Sequence, residues 1–547
     1  MNKCDFIDGK TQLQKKLMKE TIDLGLNFIN GKIRNHKVLN YKSPDFFKKL
    51  LDQPLPESKK SYKDCLSLLK TIGKYSISQS DLNYIAFPDA GNSFSGMMGE
   101  IFSKFLNQNL VAFDRSAPIA TIIEIQLIEW LRQLIGYEYK PLVKIMSLSE
   151  VSGMWTTGGH MSNHIAILTA LNFKYKDLKT NGLTSLNTLP KIIVAGNISH
   201  YSIASAVHHL GLGTNSIINC QASSNYTTDC NCLEKILESR KKEDDIFMVI
   251  GVAGNTRTSN IDNLEKIAKI CQKHNIWFHV DACHGGSLLF SQKKKQRYLK
   301  GIELADSVSL DPHKGMFVTY PSSYVLFKRR DALVKFTRYE TQVRDGTVWD
   351  LGYITPFFGS RGFESLKFWL LIKSMGIKKL GQIVDKRHDN AIYVAKLIER
   401  TGLFSVFNTM DFYRMAFVFY PQEVCELVEA SSRPKIKKEV KKCVDFYTHK
   451  INQKLYEEGK VCLDEFKLHD LNNSTDLEAG EDRFSVMSVT IGNPLFTTKS
   501  LKKTLGYFFE VSKKFVKPMK KDVLKIIHGD NSAINTENKI YGPAGWK

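Results

Sequence analysis

In ADSVSLDPHKGMFVTYPSSYVLFKRRD, residues 305–331, an apolar strand runs directly into His313 and Lys314, with Pro312 and Gly315 enforcing a turn. A lysine so placed projects into a cleft, where partial desolvation lowers its pKa and lets the free amine form an imine with an aldehyde. Taken alone, a lysine after a strand is more often a surface residue, so its neighbours decide. In WFHVDACHGG, residues 277–286, Asp281 ends another strand just before a glycine pair that leaves room for something flat. A carboxylate there suits a protonated ring nitrogen, and that ion pair would make the ring an electron sink for a carbanion at Cα. The bland alternative is an aspartate capping the next loop.

Two further segments offer contacts to the same kind of ligand. TTGGHMSNHIAILTALNFKYK, residues 156–176, is a Gly-Gly turn entering a helix, so free backbone N–H groups and the Ser162 hydroxyl converge as a phosphate cradle. Thr256 in GVAGNTRTSN follows a strand and adds a hydroxyl to the same anion. In VAGNISHYSIASAVHHLGLG, His200 follows a strand and opens a helix, positioned to lay its imidazole on a planar ring. Each signal alone is weak.

The elements that must position these residues alternate along the middle of the chain. KIIVAGN, DIFMVIGVAG, NIWFHVDAC, ADSVSLD and SSYVLFKR read as buried strands separated by helix-length amphipathic runs between about 113 and 376. That alternation predicts a mainly parallel sheet covered by helices on both faces, with ligands at the carboxyl ends of its strands. Residues 1–112, which contain PDAGNSFSGMMGE, are expected to form a helical arm, and residues 377–547 a smaller α+β domain with strands in YRMAFVFYP and FSVMSVTIG. HDLNNSTDLEAGED, residues 469–482, is expected to be a surface loop.

Bulk properties narrow the class. The 547-residue chain is 43% hydrophobic and 24% charged, ordinary for a soluble globular protein. Its ten cysteines show no Cys-x-x-Cys pairing, the N-terminal residues lack an apolar stretch, and no uninterrupted apolar run of about 18 residues occurs. We expect an uncleaved cytoplasmic protein with no membrane insertion. The net charge of +21 is spread over Lys293–Lys295, Arg433–Lys442 and Lys502–Lys525, which favours a solvated surface over a nucleic-acid-binding face.

Taken together, GGHMSN, SHYS, VDACHGG and DPHK stand in an order and spacing that resemble the group II pyridoxal 5′-phosphate (PLP)-dependent amino-acid decarboxylases, among them aromatic-amino-acid, glutamate, aspartate and tyrosine decarboxylases. The resemblance runs from about Phe87 to Trp369 and includes APIATIIEIQLIEWL and SRGFESLKFWL. It implies the fold type I, aspartate-aminotransferase-like PLP-dependent transferase fold. It further implies Lys314 as the Schiff-base lysine, Asp281 at the pyridine nitrogen and His200 over the ring. Gly159, His160, Ser162 and Thr256 would surround the phosphate, with Cys283 and His313 beside the cofactor.

The resemblance also assigns Phe87 and Pro88 of YIAFPDAGNS to the substrate pocket and Arg361 to the substrate carboxylate or to ordering the site. It also assigns Tyr339 to a mobile loop that returns a proton to Cα. Cys283, His284 and His160 depart from the commoner family residues. The expected partners are a small amino-acid substrate and a second copy of the chain, in a homodimer. Three rivals stand beside decarboxylation: another PLP-dependent lyase, transaminase or aldehyde-forming reaction; a non-catalytic homologue; and a metal enzyme. The last is suggested by the H-x-D-x-x-H pattern of His279, Asp281 and His284 and by the i, i+4 pair His160 and His164.

Overall fold

The computed structural model describes residues 6–529 except 8, 197, 242–244, 334–348, 432 and 478–481. The chain forms two compact units. One comprises Gly91–Ala395 and Phe407–Met415; the other comprises Met1–Ala90, Lys396–Val406 and Ala416–Lys547.

The first unit is built on a seven-stranded sheet. Its strands are β1 (Gly153–Thr156), β2 (Lys191–Ala195), β3 (Ile217–Cys220), β4 (Ile246–Val252), β5 (Trp277–Ala282), β6 (Ser307–Leu310) and β7 (Ser323–Phe327), in the order β1-β7-β6-β5-β4-β2-β3. β6, β5, β4, β2 and β3 pair in parallel, while β7 runs antiparallel to both its neighbours. This is an α/β fold with a mostly parallel central sheet flanked by helices. Every residue of β4, IFMVIGV, is buried, as a strand covered on both faces requires.

The five strands legible as apolar runs are β2, β4, β5, β6 and β7. The short β1 and β3, GMWT and IINC, carry too few apolar residues to stand out. Connecting helices are fixed locally by their caps: Asn263 accepts from the Lys266 N–H at 3.1 Å, and Asp229 accepts from the N–H groups of Asn231 and Cys232. The parallel register sets the carboxyl ends of β4, β5 and β6 side by side, with Val252 opposite Asp281 and Asp281 opposite Ser309.

The second unit holds an antiparallel sheet of β8 (Phe404–Val406), β9 (Arg414–Phe419), β10 (Asp464–Leu468) and β11 (Phe484–Thr490), in the order β10-β11-β9-β8. The helix Pro434–Glu458 covers it, and Phe404 stacks on Phe508 with ring centroids 5.1 Å apart. Residues before Ala90 join this unit through the Tyr84–Cys462 bridge and the Thr490 N–H donated to the Ile85 carbonyl. Among the described residues, no helix is long and apolar enough to cross a membrane.

Candidate active site

β6 delivers Asp311, and a tight turn follows it. The Lys314 N–H donates to the Asp311 carbonyl at 2.8 Å, and Gly315 takes a φ of +97°. No other residue fits there easily, because a Cβ on Gly315 would lie 2.8 Å from the Arg387 guanidinium. Arg387 holds the turn by donating to the Gly315 carbonyl at 2.8 Å and to Ser287 Oγ at 2.6 Å. Lys314 Nζ lies 3.0 Å from Oδ2 of Asp311, a fully buried carboxylate whose Oδ1 accepts from Ser323 Oγ at 2.6 Å.

The ion pair reverses one expectation. Burial pulls the Lys314 ammonium down, but the Asp311 carboxylate outweighs it, with Cys283 and Asp281 adding to the effect, so the lysine sits well above its ordinary value rather than below it. Before a partner arrives, the amine is stored as an ammonium.

Asp281 is the penultimate residue of β5 and is buried. Its Oδ1 accepts the Cys283 N–H at 3.1 Å and its Oδ2 accepts from Asn163 Nδ2 at 2.9 Å. Burial opposes its charge, yet His200, the Cys283 N–H and Asn163 outweigh that and hold the carboxyl below its usual range. Asn163 is itself fixed, because its Oδ1 accepts from His279 Nε2 at 3.1 Å and Ser309 Oγ at 2.9 Å. His279 Nδ1 in turn meets Ser307 Oγ at 2.8 Å, and Ser307 Oγ accepts from Trp277 Nε1 at 2.9 Å. Burial pushes His279 down to about 4, so the ring is neutral and relays one direction of hydrogen bonding from Trp277 to Asp281.

These groups open onto one recess of about 350 Å³ at the carboxyl edge of the sheet. Lys314, Asp281, His200, Cys283, Thr256, Gly159 and His160 all line it. His200 is the N-cap of the helix Tyr201–His209, where its Nδ1 accepts the Ser202 N–H at 3.2 Å. Burial, offset in part by Asp281, lowers its pKa. Gly159 begins the helix Gly159–Lys174, whose first turn has no side-chain cap. The helix end approaches closely: a Cβ on Gly159 would lie 2.4 Å from Cys283 Sγ and 2.7 Å from Asp311 Oδ2.

The Ser162 hydroxyl does not line the recess; it is fully buried and bonds Thr156 Oγ1 at 2.7 Å. His313 is also outside the recess, with its Nδ1 against the Ser322 carbonyl at 2.7 Å and its ring packed on Tyr320. Arg361 was expected to bind the substrate carboxylate or to order the site. Its guanidinium is buried and paired with both oxygens of buried Glu124, at 2.9 and 2.7 Å. Phe87 and Pro88 belong to the second unit, where Phe87 is exposed and the Pro88 backbone packs on Gly492. Tyr339 lies outside the described residues.

Asn163, Asn255 and Gly254 line the recess without having been anticipated, and Asp311 and Arg387 act on it through Lys314 and its turn. A strand-end aspartate three residues before a candidate lysine was the one available signal; the others lie in helices or far along the chain. The H-x-D-x-x-H ligand reading does not hold. His279 is bound to Asn163 and Ser307, His284 Nδ1 bonds Tyr413 at 2.7 Å, and neither joins a converging ligand group among the described residues.

The recess fits PLP. An amine and a carboxylate face the same space beside an imidazole, an uncapped helix N-terminus is ready for an anion, and the buried Nε2 of His284 has no hydrogen-bond partner. Comparison with known proteins agrees. The chain is 28% identical over 395 residues to "Acidic amino acid decarboxylase GADL1" of Xenopus tropicalis, covering 71% of this chain and 74% of the relative. It is 28% identical to human cysteine sulfinic acid decarboxylase (71% and 77% covered) and 27% identical to Drosophila melanogaster glutamate decarboxylase (75% and 79%). The crystal structure of mouse CSAD superposes with a TM-score of 0.81 at 23% identity, over 92% of this chain and 99% of that one. The pyridoxal-dependent decarboxylase conserved domain matches residues 44–420, more than half of the sequence, and the chain therefore belongs to this family of PLP-dependent amino-acid decarboxylases.

Proposed function

We propose that Lys314 is the amine that holds PLP covalently, and that the chain removes the α-carboxylate of a short acidic L-amino acid. The observation that carries the assignment is the recess itself, in which the Asp311-paired Lys314 and the buried, anionic Asp281 face the same space. The acidic side chain is supported by the names of the relatives, which act on acidic amino acids, cysteine sulfinate and glutamate.

Bound in the recess, the pyridoxal ring supplies an electron sink for the pair left on Cα when carbon dioxide departs. Asp281, kept charged by Asn163 and the Cys283 N–H, would hold a proton on the ring nitrogen. His200 would lie against the ring, and the first-turn N–H groups after Gly158, with Thr256, would hold the phosphate. Asp311 takes up the charge of Lys314 whenever that amine is protonated. Tyr339 is proposed to return the proton to Cα. We further propose a homodimer, on the family resemblance. A reducing, cytoplasmic location is proposed because all nine described cysteines are free.

Incubating the PLP-loaded protein with α-carboxyl-labelled cysteine sulfinate, aspartate and glutamate, beside an aromatic and a basic amino acid, tests the reading. Labelled carbon dioxide and the matching amine from an acidic substrate are expected. Keto acid with retained label, or turnover confined to the aromatic or basic substrate, overturns it.

A further inference from the structure

The departures from the family motif include His160 of GGHMSNH, and the structure sets it beside His164 and a histidine of a second helix. His160 and His164 lie one turn apart on the helix Gly159–Lys174, and the packed helix Tyr201–His209 ends on His209. One nitrogen of each ring falls within 4.8 Å of the others, and His164 Nε2 stands 3.0 Å from His209 Nδ1. Three nitrogens on a tetrahedral ion with bonds of about 2.0–2.1 Å lie roughly 3.4 Å apart, so the spacing is close to that of a ligand set.

His164 Nδ1 donates to the His160 carbonyl at 2.9 Å, which fixes the tautomer and leaves the Nε2 lone pair aimed at His209. The rings of His160 and His164 lie nearly parallel, 4.8 Å apart, and His160 Nε2 is bonded to Ser205 Oγ. Closing the site therefore takes a rotation of this one partly exposed side chain.

We propose that His160, His164 and His209 form a binding site for a divalent transition ion of Zn²⁺ type, with water in the fourth position. Three imidazoles and no carboxylate select such an ion over Mg²⁺ or Ca²⁺, which take oxygen ligands. The site is distinct from the residues assigned to decarboxylation except for His160, which also lines the recess.

Zn²⁺ titration of the PLP-loaded full-length protein by calorimetry, after treatment with chelator, tests the proposal. His209 is exposed and stands outside the recess, so His209→Ala is the informative variant and His208→Ala, its exposed neighbour, the control. Unchanged cofactor absorbance verifies that each variant is folded. The expected result is one equivalent of Zn²⁺ bound by the wild type and by His208→Ala, with affinity falling about tenfold or more in His209→Ala. No Zn²⁺ uptake by the wild type, or equal affinity in His209→Ala, overturns it.

Discussion

Asn163 donates its side-chain N–H to Oδ2 of Asp281 across 2.9 Å, joining the helix that begins the anion site to the strand that carries the carboxylate. Behind it, His279, Ser307 and Trp277 leave Asn163 one orientation. A hydrogen bond to a charged acceptor contributes about 1.5–3 kcal/mol. Asn163→Ala should therefore lower kcat by about ten- to a hundredfold while PLP still binds. Asp281 loses a group that depresses its pKa, so the acid limb of the kcat/KM profile should move to higher pH. A purely structural asparagine would change stability and leave that limb in place.

The ion pair of Asp311 with Lys314 predicts how the apoprotein takes up its cofactor. Nζ must lose a proton before it can attack an aldehyde, and the raised pKa keeps it charged near neutrality. The rate of PLP capture, followed by stopped-flow absorbance, should climb about tenfold per pH unit from pH 7 to 9. Asp311→Asn leaves burial as the dominant influence, so capture near neutrality should become faster. The same pair stabilises the apoprotein from neutrality up to the ordinary lysine value of about 10.4, and that contribution is lost as pH rises through the higher folded-state value.

Gly158 and Gly159 should respond oppositely to alanine. A Cβ on Gly159 collides with Cys283 and Asp311, whereas one on Gly158, with extended backbone at φ 176°, meets nothing within 4 Å. Overpacking of this kind costs about 1–3 kcal/mol. Gly159→Ala should raise the dissociation constant of PLP by about tenfold or more, Gly158→Ala should leave it unchanged, and Cys283→Ala should restore part of the loss. Cofactor fluorescence titration reads all three.

Arg361 and Glu124 form a buried pair, and removing one partner strands the other. Arg361→Met should cost about 3–5 kcal/mol in denaturant unfolding. The double variant Arg361→Met/Glu124→Leu should recover most of that and keep the wild-type KM. A raised KM in the double variant would return Arg361 to the substrate.

What could be read before folding was the part that short-range pattern carries. Buried parallel strands are continuous apolar runs, and the polar residue ending each one is where the sheet presents ligands, so Asp281, Thr256, His200 and Lys314 stood out. The supports were hidden because their partners are distant: Arg387 reaches Gly315 across 72 residues, and Glu124 meets Arg361 across 237. Asn163 reads as one more helical residue, and Ser162 beside it drew the attention that Asn163 warranted. His313 follows from adjacency to Lys314, but the turn at Gly315 separates neighbours in sequence into different surroundings.

The central claim is that Lys314, and no other of the many lysines, carries the cofactor. Reduction of the PLP-loaded protein with borohydride, followed by peptide mass mapping, measures this directly. The account predicts a pyridoxyl-phosphate adduct at Lys314, present at about one per chain and absent from Lys314→Ala. A stoichiometric adduct on a different lysine, or one that survives in Lys314→Ala, would contradict it.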